Sequence, residues 1–150
     1  MATVAAMGPA ADDDQVMSAP RVAEVVAFRT ALHRFERQTA AAARDCGLTP
    51  QRYLLLLTIW GAADGAGGAT VSSVAEALDL PQTTVSDMVA RATAVGLIER
   101  APASDARSSL LSVTQDGKRR VSRTARRLDR DRTVLRESLA AALRLIPLGE

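Results

Sequence analysis

Apolar positions recur at helical spacing along most of this chain and are interrupted by a few sharp breaks. Val22, Val25, Val26, Leu32 and Phe35 belong to a first helical segment that runs to about Asp45. Ser18 stands where it caps that helix, Pro20 sits in the first turn, where a missing N–H costs nothing, and Gly47 ends it. Thr49 caps a second helix with Pro50 at its first position. Residues 53–60 of this helix are nearly all apolar, a pattern that belongs in the centre of a molecule.

Four of the nine glycines fall within residues 61–68 and mark a loop. Beyond it, Thr70 caps a short helix that ends at Leu78, and a second short helix runs from Pro81 or Gln82 to Val95, stopped by Gly96. Residues 97–100 and 110–113 read as two short strands around a polar turn with Pro102, Ser104 and Asp105, a hairpin. Thr114 opens the last helical region. There Val121, Leu128, Leu135 and Ala142 repeat every seven residues, with Ala125, Leu139 and Ile146 four places after the first, third and fourth of them. Such a seam, interrupted by Arg132, suits helix-on-helix association. It has two possible uses, packing on its own core or pairing with a second subunit. The second is favoured because the helix over residues 53–60 already covers the segment that follows it.

Composition narrows the picture. At 150 residues the chain is long enough for one domain with a real core, and with aromatics at only 3% that core is built from Ala, Leu and Val. Residues 1–17 mix Ala, Gly and Asp without periodicity and are expected to form a disordered tail, leaving residues 18–150 as a single domain. No apolar run reaches the roughly 20 residues that span a bilayer. The N-terminus carries Asp12, Asp13 and Asp14 where a secretory signal carries positive charge, and one cysteine, Cys46, makes no intrachain disulfide. A reducing cytoplasm is the expected location. Net charge is +2, or +5 without those three aspartates, and the basic residues are 18 Arg and one Lys, Lys118.

Two short helices joined by a tight turn need apolar residues at fixed offsets and a small residue where their backbones approach. Val74, Leu78, Leu80, Val85 and Met88 supply the first and Ala75 the second, with Asp79 at the turn position usually held by glycine. In the second helix Val85, Met88, Val89 and Ala92 form a stripe to bury. The opposite face carries Thr83, Ser86, Asp87 and Ala90, flanked by Gln82, Thr84 and Arg91. Short polar side chains of this kind approach base edges and phosphates in a major groove, Gln82 is able to bond adenine twice, and the helix N-terminus is able to hold a phosphate. A plain solvent face is the competing reading. The hairpin tip weighs against it, because Asp105 two residues before Arg107 projects to the same side and is placed to hold its guanidinium. An arginine so held suits the narrow minor groove beside a recognition helix.

With these residues in view the sequence resembles the MarR (multiple antibiotic resistance) family of regulators. The resemblance is carried by Gly47-Leu48-Thr49-Pro50, by Val74-Ala75 to Val85-Ser86, and by Gly96-Leu97-Ile98-Glu99-Arg100. Asp105-Ala106-Arg107 and Val113-Thr114-Gln115-Asp116-Gly117 complete it, so that it covers roughly residues 20–140. It implies a mainly α fold with a small β-hairpin wing. The winged helix-turn-helix would span about 48–113 and the helical dimerisation region about 18–46 and 114–147. It also implies a homodimeric repressor on a pseudo-palindromic DNA operator, relieved by a small aromatic or phenolic ligand or, in some branches, by cysteine oxidation. On that mapping Gln82, Thr83, Thr84, Ser86 and Arg91 read or position the major groove, and Arg107, held by Asp105, enters the minor groove. Arg29, His33 and Tyr53 are the ligand-binding candidates.

Two departures stand out. Asp87 occupies a place where the family often has arginine, which implies weaker or more C·G-selective binding. The chain also runs only a few residues past Ile146, so the family's further C-terminal helix is expected to be shortened or absent. Other chemistry finds little footing. One histidine and one cysteine do not make a typical zinc site, the glycine-rich stretch lacks a Lys-Ser/Thr ending, and no nucleophile–base pair is legible, so neither an enzyme nor a cofactor is expected. His33 is expected to be structural or exposed and Cys46 an inert thiol. The alternative to a DNA-binding regulator is a winged-helix protein-interaction module that has lost DNA, favoured by Asp87 and the low net charge.

Overall fold

The computed structural model describes residues 16–63, 68–102 and 109–143. Six helices and one hairpin follow in the order α1 (Ala19–Asp45), α2 (Pro50–Ala63), α3 (Val71–Leu78), α4 (Gln82–Ala94), β1 (Ile98–Pro102), β2 (Ser109–Val113), α5 (Gln115–Arg127) and α6 (Asp129–Leu143). Local chemistry sets most of these boundaries. Gly47 takes φ +74° just past the end of α1, a conformation that costs a residue without a Cβ little. The Thr49 hydroxyl accepts the Arg52 N–H at 3.2 Å and so caps α2. Thr70 accepts from Ser73 N–H while the Ser73 side chain accepts from Thr70 N–H, a complete capping box at the start of α3. At Ser18 the capping position is right, but the hydroxyl makes no cap bond.

Val74 and Ala75 of α3, Val85, Val89 and Ala92 of α4, Leu55, Leu56 and Ile59 of α2, Leu97, Ile98 and Leu111 are buried in one core that Val121 and Leu128 close from the far side. A fully buried Leu, Ile or Val contributes about 1.5–3 kcal/mol relative to exposure. The strands are antiparallel with Ile98 opposite Val113, and the Ala69 carbonyl accepts the Leu111 N–H at 2.7 Å, which ties the segment before α3 to the hairpin. Lys118, the only lysine, holds its ammonium 5.3 Å from the centre of the Trp60 ring and so joins α5 to α2.

The turn between α3 and α4 rests on Asp79, the one non-glycine residue with positive φ among the described residues, at φ 51° and ψ 47°. Its N–H closes onto Glu76, and Leu80 N–H reaches back to Ala75. An L-residue is disfavoured there, so Asp79→Gly is expected to raise the unfolding free energy by about 0.5–1 kcal/mol. Urea titration checks this: the midpoint should rise with an unchanged slope.

The structure corrects three expectations. The helix α2 is not covered all round: α1, α3, α4, α5 and β2 pack on it, yet Leu54 and Leu57 are 52% and 37% exposed. The last helical region is two helices. Leu128 leaves the helical ladder at φ −96°, its N–H turns back to Ala125, and its carbonyl starts α6 by accepting from Arg132 N–H. Asp129 and Asp131 lie in the first turn of α6, where negative charge suits the helix dipole. A separate last helix, α6, therefore lies within the seam itself. Third, the seam divides its work: Val121 and Leu128 are buried in the chain's own core, Leu135 is half-buried against α1, and Leu139 is exposed. Ile146 lies outside the described residues, as does most of the expected N-terminal tail. Among the described residues no helix is long and apolar enough to cross a membrane.

Candidate nucleic-acid interface

The helix-turn-helix presents α4 to solvent along one side. Val85, Val89 and Ala92 are buried and Met88 half-buried, which turns Gln82, Thr83, Thr84, Ser86, Asp87, Ala90 and Arg91 outward, all exposed. The sequence expectation for this face holds residue by residue as to exposure. Pro81 precedes the helix and supplies no side-chain cap, so the first-turn amides stay open to an acceptor from outside. Among the described residues neither Asp87 nor Arg91 has a salt-bridge partner. The face carries one acid and one base and is close to neutral.

Gln82 does not stand alone. Its side-chain nitrogen donates to the Ser72 hydroxyl at 3.2 Å, which places the first turns of α3 and α4 side by side. Ser72 is exposed, and sequence reasoning missed it, because only the packing of the two helices brings it to the face. Leu80, counted among the buried offsets, is 38% exposed at the turn.

The hairpin base is built into α5. Thr114 N–H donates to the Leu97 carbonyl, its hydroxyl donates to the Gly96 carbonyl at 2.8 Å, and the same hydroxyl accepts Gly117 N–H at 3.1 Å. Gly117 is buried, and a Cβ there would lie 2.7 Å from the Leu97 carbonyl oxygen. These bonds give a physical reason for the Val113 to Gly117 motif. Asp105 and Arg107, at the tip, lie outside the described residues.

The ligand candidates do not converge. Arg29 and His33 are exposed on α1, with His33 Nδ1 3.8 Å from Glu36, whereas Tyr53 is buried in the core. A separate cleft of about 440 Å³ opens between α1 and α6, lined by Ala31, Arg34, Phe35 and Gln38 on one side and Arg130, Asp131, Val134 and Leu135 on the other. None of the three candidates lines it. Cys46 is a buried free thiol, and among the described residues no group of His, Cys, Asp and Glu is arranged to hold a metal ion.

Comparison with known proteins agrees with this geometry. A family model described as the MarR family matches residues 47–108, the span from the corner after α1 to the residue before β2. Wild-type MarR from E. coli in its apo form superposes with a TM-score of 0.64 at 16% identity, covering 89% of this chain and 96% of that one. A MepR mutant from S. aureus, bound to an oligodeoxyribonucleotide, gives a TM-score of 0.61 at 22% identity over 77% of this chain and 89% of that one. A MarR-family transcriptional regulator from Rhodococcus sp. RHA1 gives 0.61 at 19% identity over 79% and 81%. No curated protein matches the sequence. The shared hairpin, the helix-turn-helix and the flanking helices thus agree: residues 47–108 match the MarR family model, and the chain has the winged helix-turn-helix fold of the MarR structures.

Proposed function

We propose that this protein is a cytoplasmic, sequence-specific transcription regulator that binds a pseudo-palindromic DNA operator as a homodimer and represses nearby genes. The observation that carries the reading is the exposed polar side of α4, with uncapped amides at its start, beside a hairpin anchored to the end of the same helix. Gln82, Thr83, Thr84, Ser86, Asp87 and Arg91 are the major-groove residues on this reading, and Ser72 joins them. The MepR mutant that shares the fold binds an oligodeoxyribonucleotide, which supports the same partner here.

A homodimer is supported by apolar surface that one chain leaves uncovered. Val22, Val25 and Val26 of α1 and Val134 and Leu139 of α6 are all more than 40% exposed. Pairing these faces removes them from water and sets two recognition helices in successive major grooves, about 34 Å apart. Selection of bound DNA from a random pool tests the reading, with a two-fold symmetric site as the expected product. Retention of a protein partner without salt-sensitive DNA binding is the outcome that favours the interaction-module reading, which the near-neutral face of α4 keeps in play.

Small-molecule relief of repression fits the α1–α6 cleft better than the three residues named from sequence. Arg34 and Arg130 line it against one acid, Asp131, and neither arginine has a salt-bridge partner among the described residues, a balance that favours an organic anion. The wing assignment is tested by Arg107→Ala. Gel-shift titration over several salt concentrations should show weaker binding and a salt slope lower by about one. Unchanged affinity and slope would remove the wing from the interface.

A further inference from the structure

Two arginines of α5 reach far along the chain to the place where α1 ends. Arg120 donates from Nε to the Asp116 carboxylate at 2.8 Å, and from Nη1 to the Gly47 carbonyl at 3.2 Å. Arg127, two turns further on, donates to the Asp45 carboxylate at 2.9 Å. The corner is shaped to admit the first of these contacts. A Cβ at Gly47 would stand 2.6 Å from the same Arg120 nitrogen, so the residue that lets α1 turn also leaves the room Arg120 occupies. One attachment would leave α5 free to pivot. Two attachments about 10 Å apart along its axis set its rotation as well.

The other end of α5 is tied to the recognition helix. Thr114 holds the carbonyls of both Gly96 and Leu97, the residues that leave α4 and enter the hairpin, and Gly117 N–H donates to the same Thr114 hydroxyl. A continuous path therefore runs from the end of α1, through Arg127 and Arg120, along α5 and into Gly96 and Leu97, directly after α4. Apolar burial at Val121 and Leu128 seats α5 but is non-directional; the guanidinium bonds are directional. We infer that Arg120 and Arg127 are positioning residues that set the angle between the helical arm and the DNA-reading module. In a dimer that angle sets the distance between recognition helices. The inference rests on the DNA-binding reading above and adds to it the element that selects half-site spacing.

The arginines and their carboxylate partners are between 37% and 59% exposed, and ion pairs of that exposure are worth about 0.2–1 kcal/mol each, so their loss should shift geometry more than stability. The test uses the full chain and DNA probes carrying the selected half-sites at their natural separation, at separations changed by one and two base pairs, and as an isolated half-site. The wild-type protein should lose at least tenfold in affinity when the separation changes. The Arg120→Ala, Arg127→Ala double variant should lose at most a third of that factor, with isolated half-site affinity within twofold of wild type. Arg120→Lys keeps the charge beside Asp116 but not the forked reach to Gly47, and should fall between the two; it also serves if the double variant does not fold. An unchanged spacing penalty in both variants overturns the positioning role while leaving DNA binding intact. Absence of any half-site preference in the wild-type protein overturns the DNA reading itself, and the inference with it.

Discussion

Gly117→Ala is expected to lower the unfolding free energy by about 2 kcal/mol, although it places the best helix former inside a helix. The new Cβ would lie 2.6 Å from Val113 Cγ1 and 2.7 Å from the Leu97 carbonyl oxygen. The valine methyl could give way; the carbonyl is held by Thr114 N–H and could retreat only by losing that bond. Overpacking of this kind costs about 1–3 kcal/mol, and more where backbone must shift, whereas helix propensity returns at most about 1. Thermal unfolding should show a midpoint lower by about 4–8 °C. Gly61 is the internal control. It also lies in a helix, nothing stands within 4 Å of its would-be Cβ, and Gly61→Ala should stabilise by about 0.5–1 kcal/mol. If both variants prove more stable than the parent, the close approach of α5 to the hairpin base is wrong.

Asp87→Arg is expected to raise DNA affinity at least tenfold, a change of about 1.4 kcal/mol. The aspartate is exposed, has no ion-pair partner among the described residues, and shares the outward face with Ser86 and Arg91. Its charge opposes phosphate, and its one favourable nucleic-acid contact is acceptance from a cytosine amino group. Replacement removes the repulsion and adds a cation to the outward face of α4. The plot of log affinity against log salt should steepen by about one for every phosphate gained. Selected operators should at the same time lose any C·G preference at one position of each half-site. Equal slopes and equal operator preferences for the two proteins would place Asp87 away from the DNA.

Most of the winged segment was legible because its boundaries are local chemistry. Thr70 and Ser73 cap α3 through bonds three residues apart, Asp79 tolerates its left-handed backbone, and Gly96 stops α4; each is decided within a turn of itself. The same holds for the polar side of α4, which follows from the spacing of Val85, Val89 and Ala92. Elsewhere the outcome depended on neighbours that a periodic pattern does not name. Leu54 and Leu57 share a helix with the fully buried Leu55 and Leu56, and only the side of the helix on which the neighbouring elements pack separates them. The break at Leu128 hid inside a regular seven-residue repeat, although the Asp129-Arg130-Asp131 run is an acidic helix start that could have revealed it. Ser72 meets Gln82 across ten residues, and Arg120 and Arg127 meet their partners across 73 and 82. Contacts of that range leave no periodic trace. Tyr53, grouped with Arg29 and His33 by resemblance, went to the core because its helix did.

The contact of Lys118 with Trp60 has a practical consequence, since the chain has a single tryptophan. Its indole is half-buried on α2 and faces a cation carried by α5, so its fluorescence reports how that helix is seated. A shift in emission as oligonucleotide is added would follow the same helix that ties the arm to the wing, with no label introduced.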